Sequence, residues 1–486
     1  MPQFEIQDAQ NEPDPRSTAP ARAPEDSTLT QSAARPGRPR RPPRASLAHI
    51  PSTGDWPLVS EARFLRNTLA FAQRVHAKCG PVSRGWWMFG QSVYLMSAQA
   101  NEMVLFDRAG RFSAKLGWER VLADLFPRGL MLRDAEDHRW HRRLMLPAFR
   151  KEALARYLEA MSPRIDTAVA QWGAAGDLTF YPAIKRLTLA IAADVFLGTR
   201  LDAEIDRISA DFSDLVAASV AVVRIPVLGR TYARGVQARA RLAGFIRERV
   251  AQRRAGQGTD LFTQLCQARD EADTQYSDEE IVDHLIFLMM AAHYTTTSAI
   301  TTMVYALARH PQWQDRLRRE AQRVGSVVQG AGRSVPTLDD LDLMTDTELV
   351  FKEALRLYQP LPTIARRALV DVEIHGKRIP AGTPVAVFPI QVHRSPEWWS
   401  NPLQFDPERF AADRAEHRRH PFAWSPFGGG AHMCLGLHFA EMQVKAVLLP
   451  LLRHWQWSVP DGYVPDYAYA PIAKPRDGLP IRLVHV

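Results

Sequence analysis

PFGGGAHMCLG, residues 426 to 436, is the stretch that decides how this chain is interpreted. Three glycines, Gly428 to Gly430, stand shortly before a lone cysteine, Cys434. Glycine is used where the backbone must bend in a way that a side chain forbids, or must approach another group closely. We therefore expect a tight turn that places the Cys434 thiol against a bulky partner.

A helix is predicted directly after this loop, because LHFAEMQVKAVLL begins at Leu437. The N–H groups and the dipole at a helix start favour an anion, so we expect a lowered thiol pKa. Such a thiolate is a nucleophile, a metal ligand or a residue without function. Zinc would need further ligands at short spacing, and only His432 and His438 are near. A phosphate loop would need Gly-Lys-Ser/Thr, which is absent. A large flat cofactor with one axial position fits best.

The loop resembles the haem-binding loop of the cytochrome P-450 family, Phe-x-x-Gly-x-Arg/His-x-Cys-x-Gly. The resemblance extends over about residues 50–486. It implies a fold that is mainly α with a small β region, a triangular helical prism enclosing haem b (iron protoporphyrin IX). It also implies that Cys434 is the axial ligand of the iron. An inert buried cysteine before a helix is the alternative. The matching positions are Phe427, Gly430, His432, Cys434 and Gly436.

Two charged motifs precede the loop. KEALRL holds Glu353 and Arg356, three residues apart and so on one face of a helix, and FDPERF at 405–410 holds Arg409. An ordinary surface pair is the alternative interpretation. Their order resembles the Glu-x-x-Arg helix of the family and its later arginine. This implies a structural role, a buried ion-paired triad that supports the cysteine loop, since buried charges persist only when partnered.

Four basic side chains are implied as ligands of the haem carboxylates. EDHRWHRRLMLPAF resembles the family's propionate-binding helix and places His138 and Arg142 four residues apart on one face. Arg366 matches the arginine after the triad helix, and His432 takes a position more often held by arginine. Cations and imidazole N–H donors suit carboxylates in a partly dry site. Each of them alone could equally be a solvated or core side chain.

The stretch MMAAHYTTTSAITTMVYALARH, residues 289 to 310, resembles the long central helix of the family. Its motif, Ala/Gly-Gly-x-Asp/Glu-Thr, aligns with Ala291 and Ala292 at the small positions and Thr295 at the threonine. A threonine hydroxyl can bond the carbonyl four residues back and loosen the helix, which opens a groove for O2 and water. Threonines that simply fill a helix interface are the alternative.

Tyr294 departs from the family motif, because it stands where the motif has an acid. A phenol, with a pKa of about 10, is a poor substitute in proton delivery. The sterol-demethylase branch has histidine there, so the loss need not abolish oxygenation. We therefore expect Thr295, His293 and Tyr294 to form the catalytic set, with His293 as a candidate relay. A peroxide-driven or isomerising enzyme remains an alternative.

The resemblance implies a haem-thiolate monooxygenase that inserts one atom of O2 into a hydrophobic substrate, which could be sterol, terpenoid, fatty-acid or polyketide-like. Four apolar segments match the substrate-facing regions of the family, although they also suit a core. They are residues 113–126, 215–229, 361–365 and 467–473.

No flavin fingerprint and no cysteine cluster appears in the sequence, so electrons are expected from a separate protein. The segments 141–151 and 414–420 are basic. If they face the cysteine side, as in the family, they would attract an acidic ferredoxin, which is itself served by a ferredoxin reductase. Ordinary solvated charge is the alternative.

Amino-acid composition limits the location of the protein and its remaining classes of function. Three scattered cysteines among 486 residues give no disulfide framework, so we expect a cytoplasmic protein. No signal peptide and no apolar run of about 20 residues is present, so no transmembrane anchor is expected. The net charge of +8 alone would allow nucleic-acid binding, but we expect no such partner. A haem sensor without turnover would not need the groove at Thr295.

The chain is expected to divide into a disordered Pro/Arg-rich tail at 1–45 and a single domain at 46–486. The tail ends in RPGRPRRPPR, residues 35–44, which could be a hinge, an anionic-surface contact or merely solvated.

A helix capped by Ser60 should run to Cys79, and a hairpin should turn at Gly90–Gln91. Further strands are expected around turns at Gly376 and Gly382. Further helices are predicted over 150–172, 184–198, 201–222, 235–253, 278–309 and 311–324.

Overall fold

Helices dominate the part of the chain that the structure describes, which is residues 46–88, 90–201, 203–221, 223–225 and 230–486 of a computed structural model. The expected tail at 1–45 lies outside the described residues. The helices are α1 (Pro57–Arg66), α2 (Thr68–Cys79), α3 (Ala98–Leu105), α4 (Ala114–Leu122), α5 (Ala135–Met145), α6 (Lys151–Ala175), α7 (Phe180–Ala192), α8 (Ile205–Ser219), α9 (Thr231–Ala255), α10 (Leu261–Gln267), α11 (Asp278–Arg309), α12 (Pro311–Gly330), α13 (Leu338–Asp342), α14 (Thr345–Leu357), α15 (Pro389–Val392) and α16 (Leu437–His454).

The β structure is small. The strands are β1 (Val82–Trp87), β2 (Gly90–Leu95), β3 (Phe112–Ser113), β4 (Asp177–Thr179), β5 (Ile364–Ala368), β6 (Val372–Ile374), β7 (Lys377–Ile379), β8 (Pro384–Val387), β9 (Trp455–Ser458), β10 (Tyr467–Ala468), β11 (Lys474–Pro475) and β12 (Pro480–His485). The largest sheet has the order β1-β2-β8-β5-β3, and β4-β12-β9 forms a second one. The predicted mainly α fold with a small β region is confirmed.

The predicted helix from Ser60 to Cys79 is wrong at its start and in its middle. Helix α1 begins at Pro57, a residue suited to the first helical position. It stops at Asn67, which has an extended backbone and whose side chain accepts the Ala70 N–H at 3.0 Å. Asn67 therefore ends α1 and caps α2, because asparagine readily forms such local bonds. The predicted end at Cys79 is confirmed.

The central helix α11 has its predicted bounds, 278–309, because a strong start signal precedes it. The Ser277 side chain accepts the Glu280 N–H, and the Glu280 carboxylate accepts the Ser277 N–H in return. The short helix α10 was not predicted, and α7 continues into a π-helical turn at Ala193–Leu197. The remaining predicted helices are present with shifted ends.

The predicted hairpin is present, but Trp87 pairs with Gly90. Gly90 therefore begins the second strand instead of forming the turn. The predicted turns at Gly376 and Gly382 are confirmed, since both have a positive φ and lie between strands, Gly376 between β6 and β7 and Gly382 between β7 and β8.

Helices α7, α9, α14 and α16 pack around α11, which runs through the largest buried apolar cluster. Among the described residues, only the segment containing α16 is long and apolar enough to cross a membrane. That segment is 61% buried, and α16 packs against α6 and α12. We therefore describe α16 as a core helix that carries the cysteine loop at its start.

Candidate functional site

A cavity of about 260 Å³ lies between α11 and the cysteine loop. Helix α5, strand β5 and the residues just before β5 supply further polar lining residues. The lining includes Trp118, His138, Arg142, Phe287, Leu288, Ala291, Ala292, Thr295, Thr296, Leu361, Ile364, Arg366, Phe427, Gly428, His432, Cys434 and Gly436. Of the four apolar segments predicted to face a substrate, 113–126 and 361–365 contribute lining residues. The described residues of 215–229 and 467–473 contribute none.

The Cys434 thiol faces this cavity. By surface area the residue is exposed, yet protein surrounds it, so the area it exposes belongs to the cavity wall. Its own N–H donates to Phe427 O at 3.0 Å, which closes the loop. Within the described residues, no group of three or more His, Cys, Asp or Glu side chains could hold a metal ion. The thiol therefore has no protein co-ligands of the kind that zinc needs.

Burial raises the pKa of the Cys434 thiol above its usual range. The Gly436 N–H and the nearby Arg142 charge act in the opposite direction but do not offset the loss of water. The expected lowering of this pKa is therefore wrong. A directly bound metal cation would supply the missing stabilisation, because a coordinating thiol is deprotonated outright.

The three glycines of the loop have two roles. One lines the cavity, and the other two let the backbone approach other parts of the protein. Gly428 has a φ of +73° and lines the cavity. Gly430 has a φ of +62°, and a Cβ on it would lie 2.3 Å from Leu105 O at the end of α3. A Cβ on Gly429 would meet the Phe422 ring at 2.6 Å. The expected tight turn is present, but two of the three glycines approach the protein itself.

Four basic side chains, His138, Arg142, Arg366 and His432, gather at the cavity and are called the basic edge below. The rings of His138 and His432 lie 3.9 Å apart. Arg142 Nη1 donates to Met433 O at 2.9 Å, and Arg366 Nη1 donates to the carbonyl of its own neighbour, Ala365, at 2.8 Å. The basic edge thus uses few of its donors within the protein.

Within the described part of the chain, the basic edge has one contact shorter than 4 Å to a carboxylate. His432 Nε2 lies 3.7 Å from Asp134 Oδ1, and this contact is an ion pair only when the histidine is protonated. That carboxylate is already engaged, since it also accepts the Ser113 hydroxyl and the Ala114 N–H at the start of α4. The two arginines of the basic edge, Arg142 and Arg366, therefore have no ion pair among the described residues.

The pKa values of the basic edge reflect burial first and the neighbouring positive charges second. Burial, with the neighbouring cations, lowers the pKa of His138 to about 4 and that of His432 to about 2. Burial lowers the pKa of Arg366 to about 10. Buried cations and N–H donors without anions fit a ligand that brings carboxylates. The residues present therefore fit a haem, with its propionates at the basic edge.

A second set of buried charges, Glu353, Arg356, Arg409 and Glu416, is called the charged layer below. Arg356 donates to both Glu353 oxygens at 2.7 and 2.8 Å, and Arg409 Nε lies 3.2 Å from Glu353 Oε1. Arg409 Nη1 contacts Glu416 at 2.9 Å. Two arginines thus face two carboxylates, and all four side chains are buried.

The charged layer is connected to the cysteine loop through His393. Arg356 Nη1 donates to His393 O at 2.7 Å, and the Ser425 N–H donates to His393 Nε2 at 2.9 Å. Ser425 directly precedes the loop motif. Sequence analysis missed both Glu416 and His393. The acid in AEHRRH, close after Arg409, is the signal that could have indicated Glu416.

Thr295 lies at the cavity with the two small residues of its motif. Its hydroxyl donates to Ala291 O at 2.6 Å, the bond expected from the spacing. Ala291 and Ala292 leave space beside it, because neither carries more than a methyl group. This part of α11 therefore has the features of the predicted oxygen groove.

His293 and Tyr294 do not line the cavity. The Tyr294 hydroxyl donates to Ser213 Oγ at 3.2 Å on α8, and Lys185 Nζ of α7 lies 4.8 Å from the Tyr294 ring centroid. His293 Nδ1 bonds Met289 O at 2.8 Å within its own helix. The structure therefore brings Thr295 to the site but not its two predicted catalytic neighbours. Neighbouring helical residues point about 100° apart, which is the signal that could have separated them.

Comparison with known proteins gives concordant results. The family model described as Cytochrome P450 matches residues 50–478. The chain is 38% identical to cytochrome P450 136 of Mycobacterium tuberculosis over 454 residues, 91% of this chain and 90% of that protein. It is 29% identical to pentalenene oxygenase of Streptomyces avermitilis over 422 residues, 85% of this chain and 90% of that protein. The solved structure of cyanobacterial CYP120A1 with retinoic acid bound has a TM-score of 0.81 and 26% identity, covering 90% of this chain and 99% of that one.

Proposed function

We propose, from the premise that this chain belongs to the cytochrome P450 family, that it oxygenates a hydrophobic organic substrate with electrons from a separate ferredoxin system. The family is one of haem-containing monooxygenases, and the chain is such an enzyme. One observation carries the proposal: Cys434 and Thr295 line the same apolar cavity, with Thr295 bonded to Ala291 O.

The chain's own residues then have distinct tasks. Cys434 would hold the haem iron, and the basic edge would hold the propionates. A bound haem supplies the oxygen chemistry, and a thiolate ligand favours O–O cleavage. Thr295 Oγ1 is held where it can pass a proton into the cavity. We assign no proton transfer to His293 or Tyr294, because neither side chain reaches the cavity.

The proposed substrate is hydrophobic because the lining beside Thr295 is mostly apolar, with Trp118, Phe287, Leu361 and Ile364 among its members. One similar protein is named for pentalenene, and one similar structure has retinoic acid bound. Both names support a hydrophobic substrate, and the proposed classes for this chain are sterol, terpenoid, fatty-acid and polyketide-like molecules. Spectral titration of the ferric protein against these four classes would separate them.

The first test concerns Cys434. The reduced, CO-bound protein should show the red-shifted Soret band of a thiolate-ligated haem, and Cys434→Ala should abolish it. Cys79→Ala and Cys266→Ala are matched controls that should keep the band, since neither cysteine lines the cavity. A Cys434→Ala protein that keeps the band would refute the proposed ligand.

The second test compares adjacent hydroxyls on α11. Thr295→Ala should lower coupled turnover by about 10²–10⁴, the usual contribution of a positioned proton donor, while peroxide accumulates. Tyr294→Phe should have little effect, because that hydroxyl bonds Ser213. The measurement is product formed per NAD(P)H consumed. Turnover of the native protein only with added peroxide would favour a peroxygenase instead.

The proposed electron donor is an acidic ferredoxin, with its reductase, in the cytoplasm. In the basic segment 414–420, Arg414, Arg418 and Arg419 are exposed. Arg414 is paired with Asp406 and Glu416, and Arg419 lies 3.9 Å from Glu416. Reduction should slow as salt increases, because surface attraction decays over about 10 Å at 0.1 M. Arg418→Glu with Arg419→Glu should weaken the donor but not substrate binding. Reduction that is independent of salt would contradict this docking site.

A further inference from the structure

Helix α4 has a glycine, Gly117, in its interior, where glycine is less favourable than alanine. A Cβ on Gly117 would lie 2.6 Å from Arg366 Cα, 2.7 Å from Arg366 N and 2.9 Å from the carbonyl carbon of Ala365. These are backbone atoms of β5, which cannot turn aside as the end of a flexible side chain can. The glycine therefore lets α4 lie directly against β5.

Both elements of this contact form walls of the cavity. Trp118, which follows Gly117 on α4, lines the cavity, and so do Ile364 and Arg366 of β5. The distance between α4 and β5 therefore sets how far apart these two walls stand. Arg366 also belongs to the basic edge, so the same contact holds the backbone of a residue that we assign to the haem propionates.

Both ends of α4 are held by other parts of the chain. At its start, Asp134 Oδ1 accepts the Ala114 N–H at 2.8 Å. At its end, Arg224 Nη2 donates to Val121 O at 3.0 Å. The helix is thus fixed in place, and a side chain at position 117 could be accommodated only if α4 and β5 moved apart.

We infer that Gly117 is a positioning residue that sets both the width of the substrate cavity and the place of Arg366. With a Cβ at 117, α4 and β5 would have to separate until the contact reached the ordinary 3.4–4 Å. The walls at Trp118 and Ile364 would then stand further apart, and bulkier ligands would be favoured. The inference rests on the proposed function for the hydrophobic nature of the ligand, but binding tests it without turnover.

The test uses two azoles of different size, imidazole and clotrimazole, added to the ferric, haem-loaded protein. An azole nitrogen binds haem iron, so the shift of the Soret band gives a dissociation constant for each compound. The azole ratio is the dissociation constant of clotrimazole divided by that of imidazole. Gly117→Ala should lower this ratio by about tenfold, because one methylene of space in an apolar pocket changes binding by about 10–200-fold.

Haem loss is the second measurement, made by transfer of haem to an acceptor globin. Gly117→Ala should release haem faster, because the Arg366 backbone shifts together with β5. The increase should stay below the roughly 10–100-fold expected when a charge-assisted hydrogen bond is lost completely. A residue that only packed α4 against β5 would change the melting temperature but not the azole ratio.

Gly244→Ala is the matched control. Gly244 also lies in the interior of a helix, α9, but a Cβ there would have no described atom from another part of the chain within 4 Å. Both substitutions favour helix formation locally, so Gly244→Ala should leave the azole ratio and haem loss unchanged. Trp118→Ala enlarges the cavity at α4 without adding an atom beside β5. It should lower the azole ratio and leave haem loss unchanged.

Two results would overturn the inference. In the first, Gly117→Ala binds haem and keeps the azole ratio of the native protein. In the second, Trp118→Ala keeps that ratio, which decides the matter even if Gly117→Ala does not fold. If both variants shift the azole ratio as expected but the native protein oxygenates no substrate, the proposed function is contradicted and the role of Gly117 is not.

Discussion

The charged layer and the basic edge both bring arginines together, and they differ in what neutralises them. In the charged layer, Arg356 and Arg409 face Glu353 and Glu416. In the basic edge, Arg142 and Arg366 have no ion pair among the described residues, and His432, whose pKa is about 2, is neutral beside Asp134. Taking an ion out of water costs several kcal/mol unless partners compensate for it. The first cluster is therefore neutralised within the chain, whereas the second has the chemistry to hold an anionic ligand.

The largest loss of stability is expected from a substitution in the charged layer. Glu353→Gln keeps the shape of the side chain but leaves two buried guanidinium groups with one carboxylate. We expect a loss of about 3–5 kcal/mol in the free energy of unfolding, or a protein that accumulates without haem. Urea titration and haem content measure the two outcomes.

The control for that prediction is Glu136→Gln. Glu136 also pairs with an arginine three residues away, Arg139, but both side chains are exposed. Exposed pairs contribute little, so the free energy of unfolding should not change measurably. If the two substitutions lowered the free energy of unfolding equally, burial would not distinguish the charged layer from a surface pair.

A smaller effect, on the rate of haem loss, is expected from a substitution in the basic edge. Arg366→Leu removes a buried cation that the protein does not neutralise, so the fold should be retained. The haem should leave about 10–100 times faster, because a charge-assisted hydrogen bond contributes about 1.5–3 kcal/mol. Transfer of haem to an acceptor globin measures the rate.

The adjacent Arg367 is the matched control, since it does not line the cavity and lies 3.8 Å from Glu119. Arg367→Leu should leave haem loss unchanged. Arg366→Leu could instead unfold the protein while Arg367→Leu does not. In that case Arg366 would stabilise the fold, as the charged layer does, and would not serve mainly to hold haem.

The last prediction depends on pH and concerns His293, a buried histidine outside both clusters. Burial lowers its pKa to about 3, so between about pH 6.5 and pH 3 the unfolded chain binds a proton that the folded protein does not. Stability therefore falls as pH decreases through this window, by up to about 1.4 kcal/mol per pH unit for this group. His293→Gln should make the decline shallower by that amount. An unchanged slope between pH 6.5 and 5 would contradict the assignment.

The sequence predicted those parts of the molecule that local signals specify. The bounds of α11 followed from its long apolar pattern, and in the structure Ser277 and Glu280 cap its start. The expectation that Cys434 and Thr295 lie at one site followed from the resemblance of their motifs to those of the family. The break at Asn67 was missed because the residues on both sides of it favour a helix.

The remaining features depend on contacts between distant segments. Glu416 lies in a single 3-10 turn and His393 in the turn after α15, and both segments are too short for a periodicity that indicates what a side chain meets. The Cys434 pKa was predicted in the wrong direction because the helix start is a local feature, whereas burial is set by the whole fold. The directions in which the His293 and Tyr294 side chains point around the helix follow from the sequence, but aligning a motif does not take these directions into account.

The close approach of Gly430 to Leu105 has a consequence for the order in which the protein assembles. The two residues are 325 positions apart (430 − 105), and the other supports of the cysteine loop, Arg142, Glu353 and His393, also precede it in the chain. Chains emerge from the ribosome starting at the N-terminus, at about 5–20 residues per second. The loop therefore leaves the ribosome after Leu105, Arg142, Glu353 and His393 and before α16, so haem capture belongs to a late stage of synthesis.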